Sequence, residues 1–285
     1  MKKLLTAFLI VFAYSLAAAQ QRQASGPLTI DEALQFPRIN RSAVESNFSR
    51  FSELISQAAK EPDIFYNVAV YPVTANETPS CLIPIEPSDS LPSVTIKRNL
   101  QVKDVVKEPL KEMFRAAESQ GLKLAIRDAY RCYREQCCLS RKLPGTASKA
   151  GHSEHGIGCA VDINSCRGNL PPNGPEAKWL YANSESFGFV RTVSGESWHF
   201  RYIGSEGVEL YRKYFNNNLQ AMLEFIDKYK DQLQLTAEAR ERLAFVKTPA
   251  QNPSGFFANS APKTSGATAK KIQKSGIKIS SGFKN

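Results

Sequence analysis

Histidine is scarce in this sequence, with only His152, His155 and His199 among 285 residues. Any imidazole-based chemistry is confined to those three positions. No two cysteines have the C-x-x-C spacing, so the usual cysteine-rich zinc sites are set aside. No internal repeat is present. Beyond the N-terminus no run is long and apolar enough to cross a bilayer, which takes about 20 residues. Acidic residues are missing altogether from residues 248–285, a stretch that carries six lysines.

The N-terminus has the layout of a secretory signal. Lys2 and Lys3 precede an apolar run from Leu4 to Leu16, and Ala17-Ala18-Ala19 supplies small residues for cleavage. Cleavage after Ala19 is expected, with no cysteine nearby to carry a lipid anchor. The predicted location is outside the cytoplasm, the periplasm first and secretion second. The net charge of +10 is unevenly spread: the signal lysines and the tail lysines leave only about +2 on residues 20–247. That pattern argues against a nucleic-acid partner. A basic tail on an exported chain suits anionic envelope polymers or lipid head groups, and a purely solubilising tail is the alternative. Six cysteines, an even number in an exported chain, predict disulfides. Cys159 and Cys166 flank Asp162 at a spacing that would close a small loop. Cys132 has Cys137, Cys138 and Cys81 as candidate partners.

Apolar spacing predicts helices within 30–60, where Leu34, Phe48, Phe51, Leu54, Ile55 and Ala58 recur at helical intervals. Residues 66–73 alternate and predict a strand, residues 74–93 a proline-broken loop, and 94–102 a second strand. A helix is expected over 105–120, starting nearer Glu108 if Pro109 lies in its first turn, and stopping at Gly121. Further strands are expected at 122–126, 159–163, 189–192 and 198–202, with helices at 133–143, 176–186 and in pieces over 207–245. Irregular runs of helix and strand predict an α+β fold with a small antiparallel sheet and flanking helices. The expected organisation is a signal (1–19), an N-terminal, cleft-shaping extension (20–95), a main domain with C-terminal helices (96–247) and a disordered basic tail (248–285).

The chemistry concentrates in two segments. Gly151-His152-Ser153-Glu154-His155 is followed seven residues later by Asp162, and His199 lies in Glu196-Ser197-Trp198-His199-Phe200. A catalytic zinc site needs three donors of this kind and an open position. On strands, Ala160 and Asp162 would share one face, and His199 and Arg201 another. A carboxylate among apolar neighbours is costly unless paired or bound to a cation. Each residue taken singly reads as well as a hydrogen-bonded structural group. Glu196 is a candidate general base and Arg131 a candidate for oxyanion stabilisation. Spacing alone therefore supports a metal hydrolase and no finer statement.

The segment Ser153-Glu154-His155-Gly156-Ile157-Gly158-Cys159-Ala160-Val161-Asp162 resembles the S-x-H-x-x-G-x-A-x-D pattern of VanY-like zinc D-alanyl-D-alanine carboxypeptidases. Glu196-Ser197-Trp198-His199-Phe200-Arg201-Tyr202 is similar to their E-x-W-H-F-R-Y segment. Tyr130-Arg131-Cys132-Tyr133-Arg134-Glu135-Gln136 is similar to their Y-R-x-Y-x-x-Q stretch. The three occur in family order over residues 104–204. The family commonly has Ser-Gly before Tyr-Arg, where this chain has Asp128-Ala129. The resemblance implies one zinc held by His155, Asp162 and His199, on the fold shared with lysostaphin-like and hedgehog-like proteins. It implies Glu196 as base, Arg131 at the transition state, and Ser153, Tyr130 and Gln136 as substrate contacts, with His152 a pocket neighbour. The implied substrate is a peptidoglycan stem peptide ending in D-Ala-D-Ala. An L,D-carboxypeptidase or a crosslink-cutting endopeptidase is the alternative. A non-catalytic wall-binding module is the rival from another class, and Glu196 and Arg131 argue against it.

Overall fold

The computed structural model describes residues 27–61, 63–86, 91–92 and 100–229, and the backbone of 246–247. The expected signal segment, the basic tail and most of the strand expected at 94–102 lie outside the described residues.

The N-terminal helices begin where short polar side chains can cap them. Thr29 and Glu32 form a reciprocal capping box at α1 (Ile30–Leu34). Asn40 caps α2 (Arg41–Ser46), and Asn47 caps α3 (Phe48–Lys60). On α3 the residues Phe51, Leu54, Ile55 and Ala58 recur at helical spacing and are all buried. The surface covering them comes from the other end of the chain: α7 (Gly204–Glu209), a π-helical turn (Leu210–Tyr214) and α8 (Leu219–Tyr229). Phe51 is the centre of that contact, with ring centroids 5.1 Å from Tyr214, 6.4 Å from Phe215 and 5.5 Å from Phe225. Residues 28–65 and 203–229 thus share one hydrophobic core.

A second core lies under the sheet. After the short strands β1 (Glu77–Thr78), β2 (Leu82–Pro84) and β3 (Gln101–Lys103) comes α4 (Asp104–Ser119). Gly121, at φ +75°, ends α4, with Leu122 N–H bonding back to Ala117 O. The main sheet contains β4 (Leu124–Asp128), β5 (Ala160–Ser165), β6 (Phe189–Val190) and β7 (His199–Tyr202), in the antiparallel order β4-β5-β7-β6. Between β4 and β5 runs α5 (Tyr133–Lys142); between β5 and β6 runs α6 (Pro175–Asn183). Val161, Ile163 and Phe200 point to the face that packs with α4 and α6, in one cluster with Met113, Phe114 and Leu180. The opposite face carries Asp162, His199 and Arg201. A two-residue strand β8 (Val246–Lys247) pairs with β1. No helix among the described residues is long and apolar enough to cross a membrane.

The α+β class, the antiparallel sheet and the flanking helices match expectation. Three local readings do not. Residues 66–73 form a turn rather than a strand, because Asn67 O accepts from both Val70 N and Tyr71 N, while Val68 and Val73 reach the second core. Pro109 sits inside α4, which starts at Asp104; its missing N–H costs one bond of the helix. The pairing expected between Cys159 and Cys166 does not fit the fold, and all six cysteines are free. Cys159 and Cys166 bracket the extended strand β5. At about 3.3 Å per residue, seven steps hold them on the order of 20 Å apart, far beyond the roughly 7 Å a disulfide spans.

Truncating Phe51 to Ala removes the side chain joining both ends of the chain. The expected loss is about 3–5 kcal/mol, read from urea unfolding; a loss under about 1 kcal/mol would show that the shared core is not cohesive.

Candidate metal centre

The antiparallel register puts Asp162 directly opposite His199, and Ala160 opposite Arg201. Period-two alternation then aims Asp162, His199 and Arg201 away from the sheet's core. His155 arrives from outside the sheet, on a single 3₁₀ turn (Glu154–Ile157) ended by Gly158 at φ +74°. That φ is one that residues with a Cβ rarely adopt, and a Cβ there would also come within 2.7 Å of Leu82 Cδ2.

The three side chains are buried and converge. His155 Nε2 and His199 Nδ1 each lie 3.1 Å from Asp162 Oδ1. One donor atom from each falls within 4.8 Å of the others. Tetrahedral ligands at the usual zinc distance of about 2.0–2.1 Å stand about 3.3 Å apart, so this donor set and spacing fit that ion. The opposite ring nitrogens are also fixed. His155 Nδ1 donates to Ala129 O at 2.6 Å, since a carbonyl can only accept. His199 Nε2 lies 2.9 Å from Glu154 Oε2. These bonds leave His155 Nε2 and His199 Nδ1 as the ring atoms that could face a metal.

Electrostatics hold the carboxylates ionised. Burial alone would push the Glu154 carboxyl up; the Arg201 charge and the His199 hydrogen bond reverse this and hold it well below the usual range. Burial acts the same way on Asp162 and is outweighed by His155 first and His199 next. On the His199 ring burial works downward, but hydrogen bonds to Asp162 and Glu154 raise its pKa to about 10.

A cavity of about 370 Å³ opens onto the centre. Glu196 stands at its open side, with Oε2 3.9 Å from His199 Nδ1. Arg131 enters from the loop after β4. Its Nε and Nη2 donate to Asp128 Oδ2 at 3.0 and 2.7 Å, its Nη1 donates to Gln136 Oε1 at 2.6 Å, and Nη2 lies 3.8 Å from Asp162 Oδ2. Leu143, Val193 and Trp198 are apolar residues of its lining, with the Arg127 guanidinium 5.8 Å from the Trp198 ring.

The remaining expected residues divide. Ser153 is buried and lines the cavity. Gln136 also lines it, but both ends of its amide are engaged, by Arg131 and by Ser148 O. Tyr130 is not among the cavity-lining residues; its N–H bonds to Gln101 O. His152 lines the cavity with its Nδ1 donating to Val68 O, and it is outside the converging group. Asp128, Thr192 and Glu154 escaped the sequence reading. Glu154 had a signal, an acid beside a candidate ligand with an arginine two residues beyond His199. The direction of its side chain depends on the 3₁₀ turn.

Taken together these features define an α+β domain with three converging side chains that could hold one metal ion at the edge of a cleft. Residues 99–205 match the family VanY, described as D-alanyl-D-alanine carboxypeptidase. Among curated relatives, the chain is 29% identical over 175 residues to YodJ of Bacillus subtilis (strain 168), covering 51% of this chain and 63% of that protein. It is 26% identical over 148 residues to a D-alanyl-D-alanine carboxypeptidase of Enterococcus faecium, covering 47% of this chain and 48% of that one. The chain therefore spans between about half and two thirds of the length of these relatives. Among solved structures, the LdcB LD-carboxypeptidase aligns with a TM-score of 0.46 at 24% identity, over 55% of this chain and 82% of that chain. A vancomycin-resistance D,D-pentapeptidase VanY in complex with Zn(II) aligns with a TM-score of 0.36 at 26% identity, over 45% and 88%.

Two outcomes follow for the purified protein. His155→Ala, Asp162→Ala and His199→Ala should each abolish uptake of one zinc per chain, while His152→Ala retains it, as elemental analysis would show; dependence on His152 instead would overturn the assignment. Because the metal-free His199 ring is raised to about 10, it holds a proton on Nδ1 near neutral pH that the metal must displace. Zinc affinity should accordingly rise about tenfold per pH unit between pH 6 and 9, measured by chelator competition. A flat profile would mean the ring binds without losing a proton.

Proposed function

We propose that this chain is a zinc-dependent peptidase that hydrolyses peptidoglycan stem peptides as a D-alanyl-D-alanine carboxypeptidase. The observation carrying this reading is the convergence of His155, Asp162 and His199 in a cleft that also holds Glu196 and Arg131, inside a VanY-family segment. The donor set of two imidazoles and one carboxylate leaves a bound zinc with net positive charge. When bound, the ion supplies Lewis-acid activation of water and of a peptide carbonyl.

The chain's own residues do the rest. Glu196, on the open side of the centre, takes the proton of the attacking water on its carboxylate and returns it to the leaving amine. Arg131 is held by Asp128 and Gln136 before substrate arrives, so its charge meets the developing oxyanion without reorganisation. Ser153 and the apolar lining residues Leu143, Val193 and Trp198 bound the space for a small substrate side chain. The signal-like residues 2–19 support action outside the cytoplasm, in the periplasm or in secreted form. The six lysines of 248–285 support contact with anionic envelope polymers.

Glu196→Gln tests the mechanism most directly. Its size is nearly unchanged, so fold and zinc should persist, while turnover of a D-Ala-D-Ala-terminated stem peptide falls about 10²–10⁴-fold. Arg131→Ala should also slow turnover with zinc retained. Mass analysis of digested muropeptides reads both, and wild-type cleavage by Glu196→Gln would overturn the proposal.

A further inference from the structure

The VanY-family match starts at residue 99, yet an earlier segment reaches the centre. Arg201, fully buried, donates from Nη2 to Ile64 O and Tyr66 O, both at 2.9 Å, and from Nη1 to Glu154 Oε1 at 2.9 Å. The other oxygen of Glu154 accepts from Thr192 Oγ1 at 2.6 Å and from His199 Nε2 at 2.9 Å. A continuous chain of hydrogen bonds therefore runs from the backbone of residues 64–66 to the ring of a metal-facing histidine. The same segment touches the metal-bearing loop twice more. Val68 O accepts from His152 Nδ1, and Val73 N donates to Gly151 O at 2.9 Å. At Gly151, where φ is +84°, a Cβ would sit 2.5 Å from Val73 O, so the two backbones lie in direct contact.

We propose that residues 63–73 brace the metal centre from outside the family segment, and that Glu154 is the positioning residue through which Arg201 and this brace orient His199. The chemistry follows from the geometry. A carboxylate accepting from Nε2–H fixes the ring plane and tautomer, and makes Nδ1 a stronger donor to a cation. Glu154 could not hold one direction alone, since its side chain has several rotamers. Arg201 and Thr192 remove that freedom, and the carbonyls of Ile64 and Tyr66 remove it in turn from Arg201. Glu154 borders the cavity, but its oxygens are engaged by Arg201, Thr192 and His199, so its effect passes through the histidine.

The inference rests on the metal reading above, and its test is metal binding rather than turnover. Zinc affinity of the full chain is measured by chelator competition, the visible spectrum is recorded after loading with cobalt(II), and circular dichroism checks the fold. Glu154→Gln should weaken zinc about 10–100-fold and change the cobalt spectrum, with the fold intact. Arg201→Lys should weaken zinc too, and the double variant should be no weaker than Glu154→Gln alone, because Arg201 acts through Glu154. Thr192→Val, at a half-buried residue, should give a smaller loss in the same direction and keeps the test valid if Arg201→Lys fails to fold. Wild-type affinity and spectrum in Glu154→Gln, or fully additive losses in the double variant, would overturn the brace alone. A wild-type chain that takes up no zinc would overturn the metal reading and the brace together.

Discussion

Two side chains set opposite each other across β5 and β7, Asp162 and His199, constrain most of what surrounds them. Side chains on a strand alternate with a period of two, so a slip of one residue would turn Asp162 and His199 into the core and Val161 and Phe200 out of it. The register is held from the other face, where Val161, Ile163 and Phe200 are buried beneath α4 and α6. Hydrophobic burial on one side of the sheet thus aligns the polar groups on the other. The same register places Arg201 two residues from His199 on the polar face, within reach of the carboxylate that accepts from the ring.

That polar face holds an unusual density of buried charge. Asp162, His199 and Arg201 are almost inaccessible, and Glu154 lies among them. A buried charge is tolerated only when paired and hydrogen-bonded. Each one here has specific partners: Glu154 meets Arg201, His199 and Thr192, while Asp162 meets both histidines and stands near Arg131. The loop carrying His155 depends equally on backbone geometry. It needs Gly158 in a left-handed conformation, and it needs the carbonyl of Ala129 to fix the ring.

The centre was legible in the sequence because its parts are local and rare. With three histidines in the chain, two of them near acids, few combinations existed, and the motif order selected among them. Strands 160–165 and 199–202 were legible because a polar donor interrupts a short apolar run in each. Other features depended on distant partners. The turn at 66–73 reads as a strand by alternation, and only its contacts with Gly151 and His152 explain why it bends. Glu154 lies beside His155 in sequence, but its direction is set by Arg201, forty-seven residues away. The joining of 28–65 with 203–229 has no local signature either, since each helix shows only that it has an apolar face. Cysteine parity carries no distance, and β5 separates Cys159 and Cys166, which look adjacent in sequence.

His199 stands between two glutamates, and the contrast between them shows how one residue type takes two roles. Glu154 lies on the Nε2 side of the ring, with one oxygen on Arg201 and the other shared by Thr192 and Nε2. Its lone pairs are engaged and its charge is stabilised by a neighbouring cation, so it is poorly placed to accept a proton and well placed to orient a ring. Glu196 lies on the Nδ1 side, a third exposed, 3.9 Å from Nδ1. A carboxylate of that kind retains the freedom to take a proton from water and to give it up again. Exchanging their surroundings would exchange their capacities. The division follows from the sheet, which sets its own arginine against the glutamate on the Nε2 side of His199.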